Sequence, residues 1–212
     1  MNKPAEILTI DTCIFINYNM NTDHMLDLLG PLIKRECKFV LSQIVIRELN
    51  KHYELTYDAI SKPIKSIQNN LPRFSDDQDI LNKFNEFKDS LQKKKSSNNP
   101  LDKFISQTKA EVIPYKNVDL DYIMDSYFGT DLPFHAGKKK AEFPDAVAVY
   151  SLDRWIQDYN AANGTNLKIN AVSCDNDWNL FAEKFADRWT CYKSIKDAID
   201  QMNRARRAHT GK

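Results

Sequence analysis

The sequence predicts an α/β fold, namely a three-layer sandwich with a central, mostly parallel sheet of four or five strands and an inserted helical arm. Two observations lead to this prediction. Short apolar runs alternate with helical patterns along most of the chain, an order typical of parallel sheets covered by helices on both faces. Between residues 50 and 110 the alternation stops, and polar helical patterns replace it. We therefore expect a single domain over residues 1–212, with residues 50–110 inserted into it.

The first half of the chain begins with a buried strand at residues 7–10, because an apolar, β-branched run ends abruptly on Asp11. After two short helical patterns, residues 38–41 form the second predicted strand. Ser42 is a suitable N-cap for the helix that follows. Glu48 falls in the second turn of that helix, close to the edge of the sheet.

The predicted arm, residues 50–110, has apolar residues at helical spacing and polar residues between them. Pro63 and Pro72 are expected to interrupt its helices. Residues 93–100 are polar and end in a proline, which predicts a loop at the tip of the arm. Two long helices joined by that loop are the simplest arrangement.

The second half of the chain returns to the alternating pattern. A brief strand at residues 111–114 is followed by a helix and by a loop at residues 129–143. Pro144 suits the first residue of the next helix. The apolar run 169–174 predicts the fourth strand, and it leads into Asp175. A further helix, an edge strand and a final helix complete the prediction.

Composition limits the class of protein. The net charge is only +1, so any polyanion must be attracted by local patches. The four cysteines are scattered without a CxxC pair, which favours reduced thiols in a cytoplasmic protein. No run of about 18 apolar residues predicts a membrane span, and the first residues lack the apolar stretch of a signal peptide.

Several carboxylates follow predicted strand ends or lie in early helical turns: Asp11, Glu48, Asp145, Asp175, Asp177 and Glu142. They should meet outside the carboxyl edge of the sheet, where open α/β sheets bind ligands. Two unit charges about 4 Å apart repel by roughly 4 kcal/mol at an effective dielectric of about 20. Protons, cationic side chains or a metal ion must offset that repulsion. Carboxylate oxygens suit hard cations, so the pattern favours Mg²⁺ or Mn²⁺.

Each acid also has an ordinary structural explanation. An Asp after a strand often caps a helix or a turn, and Asp145 is suited to complement a helix dipole. Glu48 is suited to be a solvated residue that pairs with Lys51 or His52. The coincidence of four such placements favours the metal site. A divalent ion there would lower the pKa of a water molecule and stabilise a leaving oxygen, which predicts phosphodiester hydrolysis.

Four segments resemble motifs of the PIN-domain nucleases: Ile10-Asp11-Thr12, Ile46-Arg47-Glu48-Leu49, Phe143-Pro144-Asp145-Ala146 and Ser173-Cys174-Asp175-Asn176-Asp177-Trp178. The last is similar to the family's Thr-x-Asp-x-Asp-Phe, with Ser in place of Thr and Trp in place of Phe. The run from Gly137 to Ala146 resembles a bacterial PIN-like subgroup. The resemblance covers the chain outside the arm.

The resemblance implies an endoribonuclease that depends on Mg²⁺ or Mn²⁺, often a toxin or defence component in bacteria. By position it assigns the catalytic, metal-binding carboxylates as Asp11, Glu48, Asp145 and Asp175. Asp177 is an additional candidate ligand, and so is Glu142, one turn before Asp145. Ser173 matches a hydroxyl that helps to position water at the substrate. RNA is favoured over DNA as the partner, and a homodimer, a further domain and an antitoxin-like partner are left open.

A lysine triplet lies in the predicted loop next to Asp145: Lys138, Lys139 and Lys140. These side chains are suited to contact the phosphates of a substrate. The alternative is that they belong to an ordinary solvated loop.

Three other functions compete with an endoribonuclease. A structure-specific DNA nuclease would use the same acidic site, with the arm contacting the DNA. A catalytically inactive, nucleic-acid-binding PIN-like module would not bind metal. A haloacid-dehalogenase-type phosphatase also begins with a strand that ends in Asp, but it needs a second Asp where this chain has Cys13.

Overall fold

The computed structural model describes residues 6–74, 77–97, 100–134 and 139–210. The strands are β1 (Ile7–Ile10), β2 (Lys38–Ser42), β3 (Glu111–Ile113), β4 (Ile169–Val172) and β5 (Trp189–Tyr192). The helices are α1 (Thr12–Asn17), α2 (Thr22–Lys34), α3 (Gln43–Phe74), α4 (Gln78–Ser97), α5 (Pro100–Thr108), α6 (Leu120–Gly129), α7 (Lys139–Asn163), α8 (Asn176–Lys184) and α9 (Ile195–Thr210). A short 3₁₀ helix spans Tyr115–Asn117.

The strands form one parallel sheet in the order β3-β2-β1-β4-β5. This arrangement confirms the predicted α/β fold class. The chain winds outward from β1 in one direction through β2 and β3, and in the other through β4 and β5. Such a change of direction leaves a crevice beyond the carboxyl ends of the two central strands. Here the crevice lies beyond Ile10 and Val172, which are paired in register.

Helices cover both faces of the sheet, so the molecule has three layers. On one face, Trp189 of β5 reaches α7, where its indole N–H donates to Asp153. On the other face, Asn170 of β4 lines a cavity together with Met202 of α9. Successive side chains of a strand point to opposite faces, and Ile169, next to Asn170, is in register with Trp189. Helices α7 and α9 therefore lie on opposite sides of the sheet.

The arm differs in detail from the prediction. Helix α3 runs without a break from the edge of the sheet through Pro63 and Pro72. A proline inside a helix removes one hydrogen bond but keeps a helical φ angle, so neither proline ends this helix. Residues 93–97 continue α4, and therefore the predicted tip loop at 93–100 is wrong over that stretch. Residues 98 and 99 lie outside the described part of the chain.

The prediction that Pro144 opens a helix is also wrong. Helix α7 begins at Lys139 and contains Pro144. The turn before the proline is held by packing, since Glu142 is buried and the Phe143 ring lies 6.1 Å from the ring of Phe134. Asp145 is thus in the second turn of α7.

Across the described residues, no helix is both long and apolar enough to cross a lipid bilayer.

Candidate active site

Asp11 lies directly beyond β1, in the crevice between β1 and β4. Its backbone N–H donates to the Val172 carbonyl at 3.0 Å, which fixes the residue to the end of the neighbouring strand. Its side chain caps α1 and accepts from the Thr12 N–H at 2.6 Å. Burial raises the pKa of Asp11, and the charge of Asp175 adds to that effect, whereas its hydrogen bonds lower it. The structure therefore holds a carboxylate in a place that disfavours its charge.

Ser173 connects two of the predicted acids. Its hydroxyl donates to Asp11 Oδ2 at 2.7 Å and accepts from the Asp175 N–H at 2.9 Å. Asp175 in turn caps α8 by accepting from the Asp177 N–H at 2.9 Å. Ser173 is only 2% exposed, so in this arrangement it supports the carboxylates. Contact of Ser173 with water or substrate stays a prediction.

Glu48 enters the same crevice from the second turn of α3. The Thr12 hydroxyl donates to Glu48 Oε2 at 2.6 Å. Burial raises the pKa of Glu48, and the charge of Asp11 contributes; the Thr12 hydrogen bond and the charge of Lys51 act in the opposite direction. Thr12 thus contacts two of the acids, Asp11 through its N–H and Glu48 through its hydroxyl.

Asp145 completes the group from α7. Its pKa is raised to about 7, first by burial and then by the charges of Asp11, Glu48 and Asp175. These four carboxylates come from four separate segments of the chain, and they are close enough to influence one another. Among the side chains that the structure describes, which do not include those of Lys139 and Lys140, no Lys, Arg or His forms an ion pair with any of the four.

The residue types and their environment fit a hard divalent cation. The available donors are carboxylate oxygens, which Mg²⁺ and Mn²⁺ prefer, and a bound cation would reverse the electrostatic effect that raises the pKa of Asp145. The described side chains do not yet form a complete ligand set, because no three His, Cys, Asp or Glu residues among them converge tightly enough to hold an ion. Metal coordination by Asp11, Glu48, Asp145 and Asp175 stays a prediction.

The remaining predicted residues are less well defined. Glu142 is 5% exposed and lies one turn before Asp145 on α7, and Asp177 lies in the first turn of α8. The Asp177 N–H bonds to Asp175 at the crevice, and the role of Glu142 and Asp177 as ligands stays a prediction. Lys138 falls outside the described residues, and only the helical backbone of Lys139 and Lys140 is described. Their predicted contact with substrate is therefore not tested.

Two kinds of contact were not predicted from the sequence. One is the Thr12 hydroxyl bond to Glu48. The other is a set of hydrogen bonds to two cysteine sulfurs. Cys13 Sγ accepts from the Cys174 N–H at 3.0 Å, and Cys174 Sγ accepts from Asn17 Nδ2 at 3.5 Å. The described cysteines are free thiols, as expected. A threonine or cysteine next to an aspartate in the sequence does not predict such a contact, because the tertiary fold determines which residue its side chain meets.

Comparison with known families agrees with this arrangement. A family model described as a PIN domain matches residues 8–178. The chain belongs to the PIN-domain family. PIN domains are usually nucleases that need a divalent metal ion, and the matched region of this PIN domain contains all six candidate carboxylates. No curated protein and no solved structure matches the chain at a significant level.

Proposed function

We propose that this PIN domain is an endoribonuclease that hydrolyses phosphodiester bonds of single-stranded RNA with Mg²⁺ or Mn²⁺. Asp11, Glu48, Asp145 and Asp175 would hold the ion at the carboxyl edge of the sheet. The ion would supply an activated water molecule and offset the negative charge of the phosphate.

One observation carries the proposal: Asp11 and Asp175 lie beyond β1 and β4, the Thr12 hydroxyl ties Glu48 to the same place, and no ion pair among the described side chains neutralises any of these acids. The pKa of Asp145, raised to about 7 by burial and by these three acids, agrees with that arrangement. A structural carboxylate is usually paired with a donor or a cation, because a buried, unpaired charge is costly. Strongly perturbed carboxylates in a cleft are typical of functional sites. This cluster has the charge and the chemistry that a divalent cation would stabilise.

The protein's own groups orient the acids. The Thr12 hydroxyl fixes one oxygen of Glu48, and the Ser173 hydroxyl fixes one oxygen of Asp11. The Asp177 N–H holds Asp175 Oδ1. Glu48 and Asp175 each have a second oxygen outside these bonds, whereas both oxygens of Asp11 accept a hydrogen bond, Oδ1 from the Thr12 N–H and Oδ2 from Ser173. The hydrogen bonds therefore fix the orientation of the acids, and a ligand would use the second oxygens of Glu48 and Asp175.

The physiological setting is part of the same proposal. PIN nucleases act on nucleic acids, and we extend this to RNA, to a role as a toxin or defence component in the cytoplasm, and to an antitoxin-like partner or a second copy of the chain. Lys138, Lys139 and Lys140 precede Asp145 in the sequence and are proposed to contact the RNA backbone. The arm, residues 50–110, is proposed to contribute to the choice of substrate.

The test is a cleavage assay on end-labelled single-stranded RNA with Mn²⁺, with Mg²⁺ or with EDTA. The wild-type protein should cleave with either metal and stop with EDTA. Asp145→Asn should reduce cleavage to background while the far-UV circular dichroism stays unchanged. The matched control is Asp158→Asn, because Asp158 lies on the same helix and pairs with Arg154 at 3.0 Å, away from the site. Undiminished cleavage by Asp145→Asn would remove that residue from the proposed site.

A structure-specific DNA nuclease is the second candidate. The long α3 helix favours it, because this helix carries Glu48 in its second turn and continues into the arm, where it could contact a branched substrate. Flapped DNA and single-stranded DNA in the same assay distinguish the two candidates. A preference for flapped DNA over RNA would replace the first proposal with the second.

A further inference from the structure

Arg47 and Tyr115 form a cation–π contact beside the candidate active site. Arg47 lies on α3 immediately before Glu48, and its guanidinium carbon is 5.0 Å from the centroid of the Tyr115 ring. Tyr115 begins the 3₁₀ helix that follows β3, so it lies beyond the carboxyl end of that strand. Because the strands run parallel, this contact lies at the same edge of the sheet as Asp11 and Asp175, on the β3 side.

Arg47 has no acidic partner in the described part of the molecule. It is exposed, and its guanidinium forms neither an ion pair nor a hydrogen bond with a described residue. Lys51, one helical turn later on the same face of α3, is also exposed and forms no ion pair there. Like charges at this spacing disfavour a helix slightly, and an exposed cation–π contact contributes little to stability. Stability therefore does not explain these two cations.

The cations and the ring suit a single-stranded nucleic acid. Lys116 directly follows Tyr115 and is exposed, so it adds a third positive charge. Arginine binds phosphate through parallel N–H donors, and sites for single strands combine such cations with aromatic rings on which a base stacks. The net charge of the chain is only +1, so a polyanion must be attracted by a local patch. This patch lies next to the acids.

We propose that Arg47 and Tyr115 bind the single-stranded RNA on the β3 side of the site, with the Arg47 guanidinium on a backbone phosphate and a base stacked against the Tyr115 ring. Arg47 and Glu48 are consecutive residues of α3, so one helical turn supplies a carboxylate to the proposed metal site and a cation to the substrate. The inference rests on the proposed function and names two contacts of its substrate.

The experiment measures binding of a short, labelled single-stranded RNA by fluorescence anisotropy, in EDTA to prevent metal-dependent cleavage, between about 50 and 200 mM KCl. Each phosphate contact with a single strand contributes about 0.7 to the slope of log affinity against log salt concentration. We expect Arg47→Ala to bind about 10-fold more weakly and to lower that slope by about 0.7. Arg47→Lys keeps the charge, so it should retain the slope. The matched control is Arg154→Ala, which removes an exposed arginine paired with Asp158 and should bind as the wild type does.

The ring is tested separately from the charge. Tyr115→Leu should weaken binding several-fold without changing the salt slope, because stacking releases no counterions. Tyr115→Phe keeps the ring and should bind as the wild type does. Tyr115 is half-buried, so the unfolding temperature of each variant is measured as well, and the exposed Arg47 decides the case if Tyr115→Leu fails to fold.

The outcomes separate this inference from the proposed activity. Wild-type affinity and salt slope in Arg47→Ala would overturn the inference and leave the proposed metal site intact. RNA binding that depends on Arg47, without cleavage in Mn²⁺, would support the inference and remove the proposed activity. A wild-type protein that binds flapped DNA and not this RNA would overturn the proposed substrate, and the inference with it.

Discussion

Helix α7 carries two carboxylates, Asp145 and Asp153, that differ in how the fold satisfies them. Asp153 is 5% exposed and accepts hydrogen bonds from Arg188, Trp189 and Gln157, at distances from 2.6 to 3.0 Å. Asp145, two turns earlier, has three acids as its electrostatic neighbours, namely Asp11, Glu48 and Asp175. The same helix thus contains a structural acid and an acid suited to binding a cation.

The difference shows how this fold separates stability from function. At Asp153, donors surround the carboxylate and tie α7 to β5 through Arg188 and Trp189. At Asp145, burial and the neighbouring acids disfavour the charged form, and no cationic side chain in the described part of the molecule pairs with it. Residues of this kind mark functional sites because their environment becomes favourable only when a ligand binds.

The largest effect on stability is expected at the satisfied carboxylate. Asp153→Ala leaves the Trp189 N–H without its acceptor and leaves Arg188 only its ion pair with Asp187, and breaking a buried pair typically costs about 3–5 kcal/mol. The free energy of unfolding, measured with urea, should fall by this amount. Asp158→Ala on the same helix removes an exposed ion pair, for which a loss of about 0.5 kcal/mol is expected. Equal losses in the two variants would contradict a structural role specific to Asp153.

A pH-dependent effect is expected at the unsatisfied carboxylate. The folded protein holds a proton on Asp145 up to a pKa of about 7, whereas the unfolded chain loses it near the ordinary value of 3.8. Stability in EDTA should therefore fall as the pH rises from about 4 to about 7, by up to roughly 4 kcal/mol. The raised pKa values of Asp11 and Glu48 act in the same direction.

Urea unfolding in EDTA at pH 5 and pH 7.5 measures this effect. Asparagine at position 145 does not titrate, so the stability of Asp145→Asn should depend less on pH than that of the wild type. At pH 7.5 the variant should be more stable than the wild type. A wild-type protein that is more stable at pH 7.5 than at pH 5 would contradict the assigned repulsion.

Mn²⁺ should offset the unfavourable environment of Asp145 and so reduce the difference between Asp145 and Asp153. A ligand that binds only the folded state stabilises it by about 2.7 kcal/mol at 100 times its dissociation constant. We expect that gain for the wild type at pH 7.5 in thermal unfolding, and a much smaller one for Asp145→Asn. Asp158→Asn should gain as much as the wild type, because that residue is outside the site. The same gain in Asp145→Asn would show that Mn²⁺ binds elsewhere.

The smallest effect is expected at Thr12, which orients Glu48. Thr12→Val keeps the shape of the side chain and removes the hydroxyl that donates to Glu48 at 2.6 Å. A hydrogen bond to a charged group contributes roughly 1.5 kcal/mol, which corresponds to about a tenfold weaker Mn²⁺ affinity by calorimetry. Thr12→Ser retains the hydroxyl and should bind Mn²⁺ nearly as well as the wild type.

The sequence predicted the parallel α/β sheet because apolar strands and amphipathic helices alternate along the chain. It also predicted that Asp11 and Asp175 would lie beyond strands, which the structure shows at the ends of β1 and β4. The predictions about Pro63, Pro72 and Pro144 were wrong, since local propensity treats proline as a break while tertiary packing keeps the helices continuous. Local sequence patterns therefore predicted the fold class correctly, but they did not predict every helix boundary.

The contacts within the site were less predictable. The Thr12 bond to Glu48 joins residues 36 positions apart, and the Ser173 bond to Asp11 joins residues 162 positions apart. Such pairs depend on side-chain rotamers and on the register of β1 with β4. The distinction between Asp145 and Asp153 has the same origin, because both are acids on an amphipathic helix and only their neighbours in space separate them.

The continuity of α3 has a practical consequence for anyone who wants to shorten this protein. Glu48 and Phe74 lie on one continuous helix. The rise per residue of an α-helix places them about 40 Å apart along its axis. Excising residues 50–110 at the boundary suggested by composition would leave Glu48 on a frayed stub of two turns. A shortened version should instead retain several turns of α3 and rejoin them to the facing part of α4 beyond the groove that Tyr57 and Ile64 share with Leu91.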